Sequence, residues 1–123
     1  MSRSAEDRRR AVEAGATAED RVADWFVSRG WSVLERRWSG GGGELDLVVQ
    51  RDGALRFVEV KLRAESDPAA WEVFTPAKMA RVRRAAEAWL STWRGPLTEC
   101  TLSAALVTHG VEGWQIDVID DAA

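Results

Sequence analysis

Cysteine and histidine are almost absent from this chain, and their scarcity excludes several classes of protein. Each occurs once among the 123 residues, as Cys100 and His109. A single cysteine cannot form a disulfide within the chain, and the two residues together provide too few ligands for a structural zinc site. The sequence therefore excludes a disulfide scaffold and a zinc domain, and any bound metal would have to sit on carboxylates.

Long apolar segments are also absent. No apolar run approaches the roughly 20 residues that a membrane-spanning helix needs, and the first ten residues, MSRSAEDRRR, are highly charged. We therefore expect a cytoplasmic protein with no membrane segment. The length of 123 residues predicts a single domain, residues 1–123, with a hydrophobic core of its own.

Basic residues do not outnumber acidic ones, and the formal net charge of -3 excludes a uniformly basic nucleic-acid-binding protein. The charge is unevenly distributed, however. Residues 63–95 contain six basic and four acidic residues, whereas residues 96–123 contain five acidic and no basic ones. A surface that binds phosphate is therefore expected on the first 95 residues, and the acidic C-terminal segment is expected to face away from it.

Two helices are predicted from capping residues and apolar spacing. Ser4 predicts the start of the first helix, over residues 5–29, which Gly15 is expected to break or bend. Thr75–Pro76 predicts the start of the second helix, and Gly95 predicts its end. The apolar stripe of the second helix is predicted to be Ala80, Val82, Ala85, Ala86, Trp89 and Leu90.

Five segments rich in β-forming residues predict strands: WSVLERRW, ELDLVVQ, ALRFVEVKL, TLSAALVTH and WQIDVID. The short turn Arg51–Gly53 predicts that ELDLVVQ and ALRFVEVKL are antiparallel neighbours. The glycine run at residues 40–43 predicts a flexible loop. The resulting order is α-β-β-β-α-β-β, an α/β sandwich.

Four charged residues interrupt the apolar pattern of the second and third predicted strands: Glu44, Asp46, Glu59 and Lys61. Side chains two residues apart on a strand share a face, so Glu59 and Lys61 are expected to point the same way. The usual hairpin register would place Asp46 and Glu59 on neighbouring strands, whose backbones are about 4.8 Å apart. Two carboxylates at that distance repel each other unless a cation lies between them.

A hard divalent cation such as Mg²⁺ or Mn²⁺ suits two such carboxylates, together with water and phosphate oxygens. Lys61 could stabilise negative charge on a phosphate or hold the attacking water, and Glu19 on the first helix could reach the same metal. The residues by themselves leave open a solvated strand face, with Glu59 and Lys61 as a surface ion pair. For Glu44 the alternative is a hydrogen bond or ion pair that shapes the loop.

The segments GELDLVV and FVEVKLR resemble those of the bacterial YraN-like family, whose members carry GEIDL and FVEVK segments and belong to the PD-(D/E)xK nuclease-like superfamily. The resemblance extends over AGATAEDRVADWF, GWSVLERRW and VFTPAKMARVRRAAEAWL. It implies a restriction-endonuclease-like core, in which a mixed central sheet is flanked by helices. It implies Asp46, Glu59, Lys61 and Glu19 as catalytic residues, of which the three acids would bind the metal.

The same resemblance implies a metal-dependent, resolvase-like endonuclease that hydrolyses DNA phosphodiester bonds with Mg²⁺ or Mn²⁺. The expected partner is branched or single-stranded DNA, and related resolvases suggest a homodimer by analogy. The candidate contacts to nucleic acid are Lys78, which matches a family lysine, and Arg36, Arg37 and Arg63. For Lys78 a plain exposed lysine is the equal alternative. Arg81, Arg83 and Arg84 are further candidates, although a solvated helix face is favoured for Arg83 and Arg84.

Two other functions remain open. One is a catalytically silent module that binds nucleic acid without cleaving it, and the other is an interaction protein that docks on repair or replication proteins through an exposed strand edge. Among the seven tryptophans, Trp38 beside the glycine run is a candidate for base stacking, with core packing as the alternative. The core is the expected position of Trp25, Trp71, Trp89 and Trp114.

Overall fold

The structure is a computed structural model that describes residues 5–121, apart from the side chains of residues 7, 8 and 10–16. Ser4, the predicted start of the first helix, lies outside the described residues. The elements follow the predicted order, with a short 3₁₀ helix, Ala70–Val73, before the second helix. They are α1 Ala5–Val27, β1 Ser32–Gly40, β2 Gly43–Arg51, β3 Ala54–Ala64, α2 Pro76–Leu90, β4 Glu99–Gly110 and β5 Gly113–Asp120.

The five strands form one mixed sheet in the order β1-β2-β3-β4-β5. β3 and β4 are parallel, and the other neighbouring pairs are antiparallel. A parallel pair cannot be joined by a tight turn, so the chain crosses from β3 to β4 through α2. The mixed sheet flanked by helices confirms the predicted restriction-endonuclease-like α/β core.

Each face of the sheet has its own hydrophobic core. On β3, Val58 and Val60 pack with α1, whereas Leu55 and Phe57 pack with α2. Because alternate side chains of a strand point to opposite faces, the two helices lie on opposite sides of the sheet. The buried residues of α2 are Met79, Val82, Ala85, Ala86 and Trp89.

The glycine run at residues 40–43 forms a tight hairpin turn, and the predicted flexible loop is wrong. Gly40 and Gly43 are the last pair of the β1–β2 ladder. Gly41 and Gly42 form the turn, with φ angles of 62° and 81°. Glycine adopts positive φ without steric cost, and positive φ at both central residues matches the twist of the flanking strands. The run therefore ends one strand and starts the next without a loop between them.

This glycine hairpin, residues 40–43, lies directly on α2. A Cβ atom on Gly41 would lie 2.6 Å from the carbonyl oxygen of Arg84, and a Cβ atom on Gly43 would overlap the carbonyl oxygen of Arg81. The absence of side chains thus permits a close backbone approach between the hairpin and the helix.

The second helix ends at Leu90 and not at the predicted Gly95. After it, the N–H groups of Thr92 and Trp93 bond to carbonyl oxygens three residues earlier, on Trp89 and Leu90. Such bonds tighten the backbone beyond α-helical geometry. The chain therefore leaves the helix before it reaches the glycine.

The remaining differences are small. α1 ends at Val27 and continues unbroken through Gly15. Ala80 is exposed and Met79 is buried in its place, because neighbouring residues on a helix lie about 100° apart. No helix among residues 5–121 is both long enough and apolar enough to cross a membrane.

The tryptophans divide between core and surface. Trp89 is buried, and Trp25 and Trp114 pack against the α1 core, as expected. Trp38 packs against the α2 core, which favours the core alternative over base stacking. The expectation for Trp71 is wrong, because this residue is 38% exposed on the short 3₁₀ helix.

Candidate active site

β2 and β3 are paired over only part of their length. Their antiparallel ladder starts at the turn, as predicted, and ends at the pair Leu47–Val58. Beyond this pair, β2 continues along β1, and β3 continues along β4. The two strands therefore separate, and Asp46 and Glu59 occupy the first positions after the ladder ends.

Beyond the end of the ladder, the Asp46 carboxylate accepts a hydrogen bond from the backbone of β3. Its Oδ2 accepts a hydrogen bond of 2.8 Å from the N–H of Val60. Alternate residues of a strand direct their N–H groups to the same side, so the Val60 N–H points toward β2, where the ladder has ended. No described residue donates to Oδ1, the second oxygen of the Asp46 carboxylate. The bond satisfies a backbone donor and holds the carboxylate in the gap between the strands.

The separated strand ends and the first turns of α2 enclose a cleft of about 360 Å³, here called the β2–β3 cleft. Asp46, Glu59 and Lys61 line it, so the structure brings together three of the four predicted catalytic residues. Lys78, a predicted nucleic-acid contact, lines the same cleft. The other lining residues are Gly42, Gly43, Glu44, Arg81 and Val82.

Glu59 and Lys61 form an ion pair inside this cleft. Their Oε1 and Nζ atoms are 3.3 Å apart, and Glu59 is only 8% exposed. Because Glu59 is buried, the alternative of a solvated strand face is wrong for this residue. A charged side chain at such a position requires a partner, which Lys61 provides.

The pKa of Asp46 is raised from its ordinary value of 3.8 to about 7. Burial is the largest cause, and the negative charge of Glu59 is the second. The Val60 N–H and the charge of Lys61 act in the opposite direction, whereas Glu19 adds a smaller repulsion. The cleft thus holds two carboxylates whose mutual repulsion is only partly relieved by the groups around them.

Lys61 and Lys78 lie close enough to interact directly. Burial lowers the pKa of Lys61, but the negative charges of Glu59 and Asp46 raise it above the ordinary value overall. The pKa of Lys78 is lowered, first by burial and then by its contact with Lys61. Two neighbouring ammonium groups beside two carboxylates make the cleft suitable for a ligand that carries both a cation and an anion.

Glu19 does not line the β2–β3 cleft, although it was predicted as a metal ligand. Its Oε2 lies 2.8 Å from Nε of Arg37, a predicted nucleic-acid contact. Arg37 has a φ of 52°, in the left-handed region that a side chain rarely adopts inside a strand. Glu19 is still near enough for its charge to raise the pKa of Asp46.

Of the other predicted contacts, Arg81 lines the cleft, whereas Arg36 and Arg63 lie outside it. Arg36 pairs with Asp20 at 2.7 Å, and Arg63 donates to the carbonyl oxygen of Leu62 at 2.6 Å. Glu44 lines the cleft, and no hydrogen bond or ion pair joins its side chain to any residue that the structure describes. The roles of these residues remain predictions.

Asp46 and Glu59 suit a hard divalent cation. Mg²⁺ typically takes one or two carboxylates and completes its shell with water and phosphate oxygens. A cation between them would also relieve the repulsion that raises the pKa of Asp46. Within the described part of the chain, no three acidic, histidine or cysteine side chains are close enough to hold an ion by themselves. Water and substrate oxygens would therefore supply the other ligands.

Sequence reasoning missed two contributors to the cleft. One is the N–H of Val60, whose role depends on where the ladder ends and has no signal in the residue type. The other is the glycine hairpin, whose Gly42 and Gly43 form part of the wall. A run of glycines between two strands was the available signal, but it was interpreted as a flexible loop.

Comparison with known proteins places the chain in a family. The sequence pattern of "Uncharacterised protein family UPF0102" matches residues 18–120. A UPF0102 protein of Rhodopseudomonas palustris is 47% identical over 81 residues, which are 66% of this chain and 62% of the relative. A UPF0102 protein of Methylorubrum extorquens is 42% identical over 109 residues, 87% of this chain and 83% of the relative. The chain therefore belongs to the UPF0102 family, the YraN-like family that its motifs resemble.

Proposed function

We propose that the protein is a metal-dependent nuclease that hydrolyses phosphodiester bonds in DNA. The observation that supports this proposal is the convergence of Asp46, Glu59 and Lys61 in one cleft at the point where β2 and β3 separate. A purely structural role for these residues would not need two carboxylates and an ammonium group to share a partly buried cavity. Such a combination matches the needs of phosphoryl transfer.

Asp46 and Glu59 are the residues that would hold Mg²⁺ or Mn²⁺. When bound, such a cation supplies Lewis acidity and lowers the pKa of a bound water. Lys61 orients the attacking water or neutralises charge that develops on the phosphate oxygens. The attacking water gives up one proton to solvent and forms a new P–O bond, while the P–O bond to the leaving oxygen breaks and that oxygen takes up a proton from solvent. Lys78 binds an oxygen of the phosphate group that neighbours the reacting phosphate.

Glu19 is the least well supported member of this set. Its carboxylate is paired with Arg37, so it would reach the cleft only after that ion pair opens. Solvent screens this ion pair only in part, because the Arg37 side chain is 59% exposed and that of Glu19 is 20% exposed. Glu19 remains a candidate third acid.

The test is a cleavage assay with the full chain, branched and single-stranded DNA, and Mn²⁺. Asp46→Ala and Lys61→Ala are expected to lower the cleavage rate by about 100-fold or more, because each removes a group that acts on the developing charge. Asp52→Asn is the matched control, since it removes a carboxylate at the turn, the other end of the same two strands, and should cleave normally. Cleavage that persists in both active-site variants would overturn the assignment.

A catalytically silent nucleic-acid-binding module is the second candidate. The ion pair between Glu19 and Arg37 favours this second function, because the pair occupies the carboxylate that would complete the metal-binding set of acids. This function predicts salt-sensitive DNA binding without cleavage in Mg²⁺ or Mn²⁺. A protein that binds neither metal nor DNA would instead favour the interaction protein, with β1 and β5 as the two edges of the sheet.

A further inference from the structure

Positive charge near the β2–β3 cleft is concentrated on α2. The helix carries Lys78, Arg81, Arg83 and Arg84. No ion pair joins any of the three arginines to a side chain that the structure describes, whereas Arg36 and Arg37 of β1 both have acidic partners. The cations of α2 are therefore more available to an anionic ligand than those of β1.

Helix geometry divides these cations into two groups. At 3.6 residues per turn, positions three apart are separated by about 60° and lie on one side of the helix. Lys78, Arg81 and Arg84 have this spacing and form what is here called the basic row. Arg83 lies about 160° from Arg81 and lines a separate cavity together with Phe57 and Leu90. The basic row and Arg83 thus serve different surfaces of the same helix.

The basic row starts in the cleft and continues along the glycine hairpin. Lys78 and Arg81 line the β2–β3 cleft. The hairpin lies on the backbone of the same helix side, with Gly43 against the carbonyl oxygen of Arg81 and Gly41 against that of Arg84. Since the hairpin carries no side chains, none of its residues covers the row.

The hairpin also connects two cavities. A second cavity of about 410 Å³ is lined by Ser39, Gly40, Gly42, Gly43 and Glu44. Three of these residues, Gly42 to Glu44, also line the β2–β3 cleft. Gly42 is exposed, and a Cβ atom on it would meet no atom within 4 Å. The two cavities therefore adjoin at the bare hairpin, and together they are here called the hairpin groove.

We propose that one strand of nucleic acid lies in this groove, with its phosphates on the basic row and one phosphodiester at Asp46 and Glu59. The proposal rests on the proposed nuclease function and adds the path of the substrate to it. The row rises by about 9 Å along the helix, which is long enough to contact more than one backbone phosphate of a single strand. The bare hairpin lets the strand approach the protein backbone closely.

Removal of the negative charge of Glu44 is expected to change the affinity for DNA in the opposite direction from removal of a basic residue. Glu44 lines both cavities, and its carboxylate repels a phosphate that passes through the groove. Removing this charge should therefore strengthen binding, whereas removing a charge of the basic row should weaken it.

The test measures binding of a labelled single-stranded DNA oligonucleotide to the full chain in EDTA, between 50 and 300 mM salt, so that cleavage does not interfere. Arg81→Gln and Arg84→Gln are each expected to weaken binding about 3- to 10-fold and to reduce the slope of log K against log salt by about 0.7. Glu44→Gln should strengthen binding about 2- to 3-fold. Arg83→Gln is the matched control, with the same charge change on the same helix, and should bind like the parent protein.

An effect of Arg83→Gln as large as that of Arg84→Gln would overturn the groove, because it would indicate a general charge effect. No effect of Arg81→Gln and Arg84→Gln would also overturn it. A different result would overturn only the nuclease function. In that case the variants show the expected binding pattern, but the parent protein does not cleave DNA in Mn²⁺. Absence of DNA binding by the parent protein would overturn both proposals.

Discussion

The two ends of the β2–β3 hairpin differ in how their backbones are satisfied. Near the turn, β2 and β3 form a regular ladder, and its buried side chains are all apolar: Leu47, Val48, Val49, Leu55, Phe57 and Val58. Beyond Leu47–Val58 the ladder stops, and a backbone N–H bonds to the Asp46 carboxylate instead. The comparison teaches that the two acids of the candidate site, Asp46 and Glu59, lie where the pairing of β2 with β3 ends.

The closed end of the β2–β3 hairpin stabilises the fold, whereas the open end contains the candidate site. The closed ladder leaves little room for a ligand, because its backbone groups bond between the strands and its apolar side chains pack into the two cores. At the open end, Asp46, Glu59 and Lys61 share a cleft whose charges are incompletely compensated. We therefore expect changes at the closed end to lower stability and changes at the open end to affect ligand binding more than folding.

The largest effect on stability is expected at the closed end. Phe57 is 1% exposed and packs edge-on against Trp89, with ring centroids 5.7 Å apart. Phe57→Ala should lower the free energy of unfolding by about 3–5 kcal/mol, because it removes a large buried side chain and leaves a cavity. Urea denaturation followed by tryptophan fluorescence measures this loss. A loss below about 1 kcal/mol would contradict the assignment of this end as the stabilising one.

A smaller effect is expected where the open end of β2 lies on α2. Gly43→Ala should cost about 2–3 kcal/mol, because its Cβ would overlap the carbonyl oxygen of Arg81. Gly42→Ala is the matched control in the same turn. It meets no neighbour, and only its positive φ of 81° is unfavourable, at a cost of about 1 kcal/mol. Equal losses in the two variants would show that the close approach to α2 does not matter.

The smallest effect is a gain in stability at Asp46. Its pKa is about 7 in the folded protein, against an ordinary value of 3.8. The folded state therefore holds this proton more tightly than the unfolded chain, and its stability falls as the pH rises from about 4 to about 7. In EDTA, Asp46→Asn should be about 1–2 kcal/mol more stable than the parent at pH 8, with no difference near pH 4.

Asp52→Asn provides the control for this gain, since it makes the same chemical change at the exposed turn. Thermal unfolding at pH 4 and pH 8 should show no pH-dependent gain for this variant. A gain of Asp46→Asn that is equal at both pH values would contradict the role of charge. Addition of Mn²⁺ should narrow the difference at pH 8, because a bound cation stabilises only the parent carboxylate.

Local patterns predicted most of the fold. Segments rich in β-forming residues and the short turn Arg51–Gly53 predicted β2 and β3 as antiparallel neighbours, and Thr75–Pro76 predicted the start of α2. The same reasoning failed for the glycine run, because the conformation of a glycine depends on its surroundings more than that of any other residue. It also placed the end of α2 at Gly95, since it had no signal for the tighter turns that follow Leu90.

The candidate site was predictable only in part. The spacing of Glu59 and Lys61 placed both on one face, and the hairpin register brought Asp46 near them. The pairing of Glu19 with Arg37 was not predictable, because these residues are on α1 and β1 and meet only when both elements pack on the sheet. The same holds for Arg83 and Arg84, which are neighbours in sequence but face different surfaces.

The sequence alone determined the order of helices and strands, the family, and the identity of the residues on β2 and β3 that carry charge. These properties depend on local backbone preferences and on the two-residue period of a strand, both of which act within a few residues. Only the tertiary structure decided where β2 and β3 separate, which cations of α2 border the cleft and how the glycine hairpin lies on that helix. These features depend on contacts between residues far apart in the chain, and such contacts exist only after the sheet and both helices have packed together.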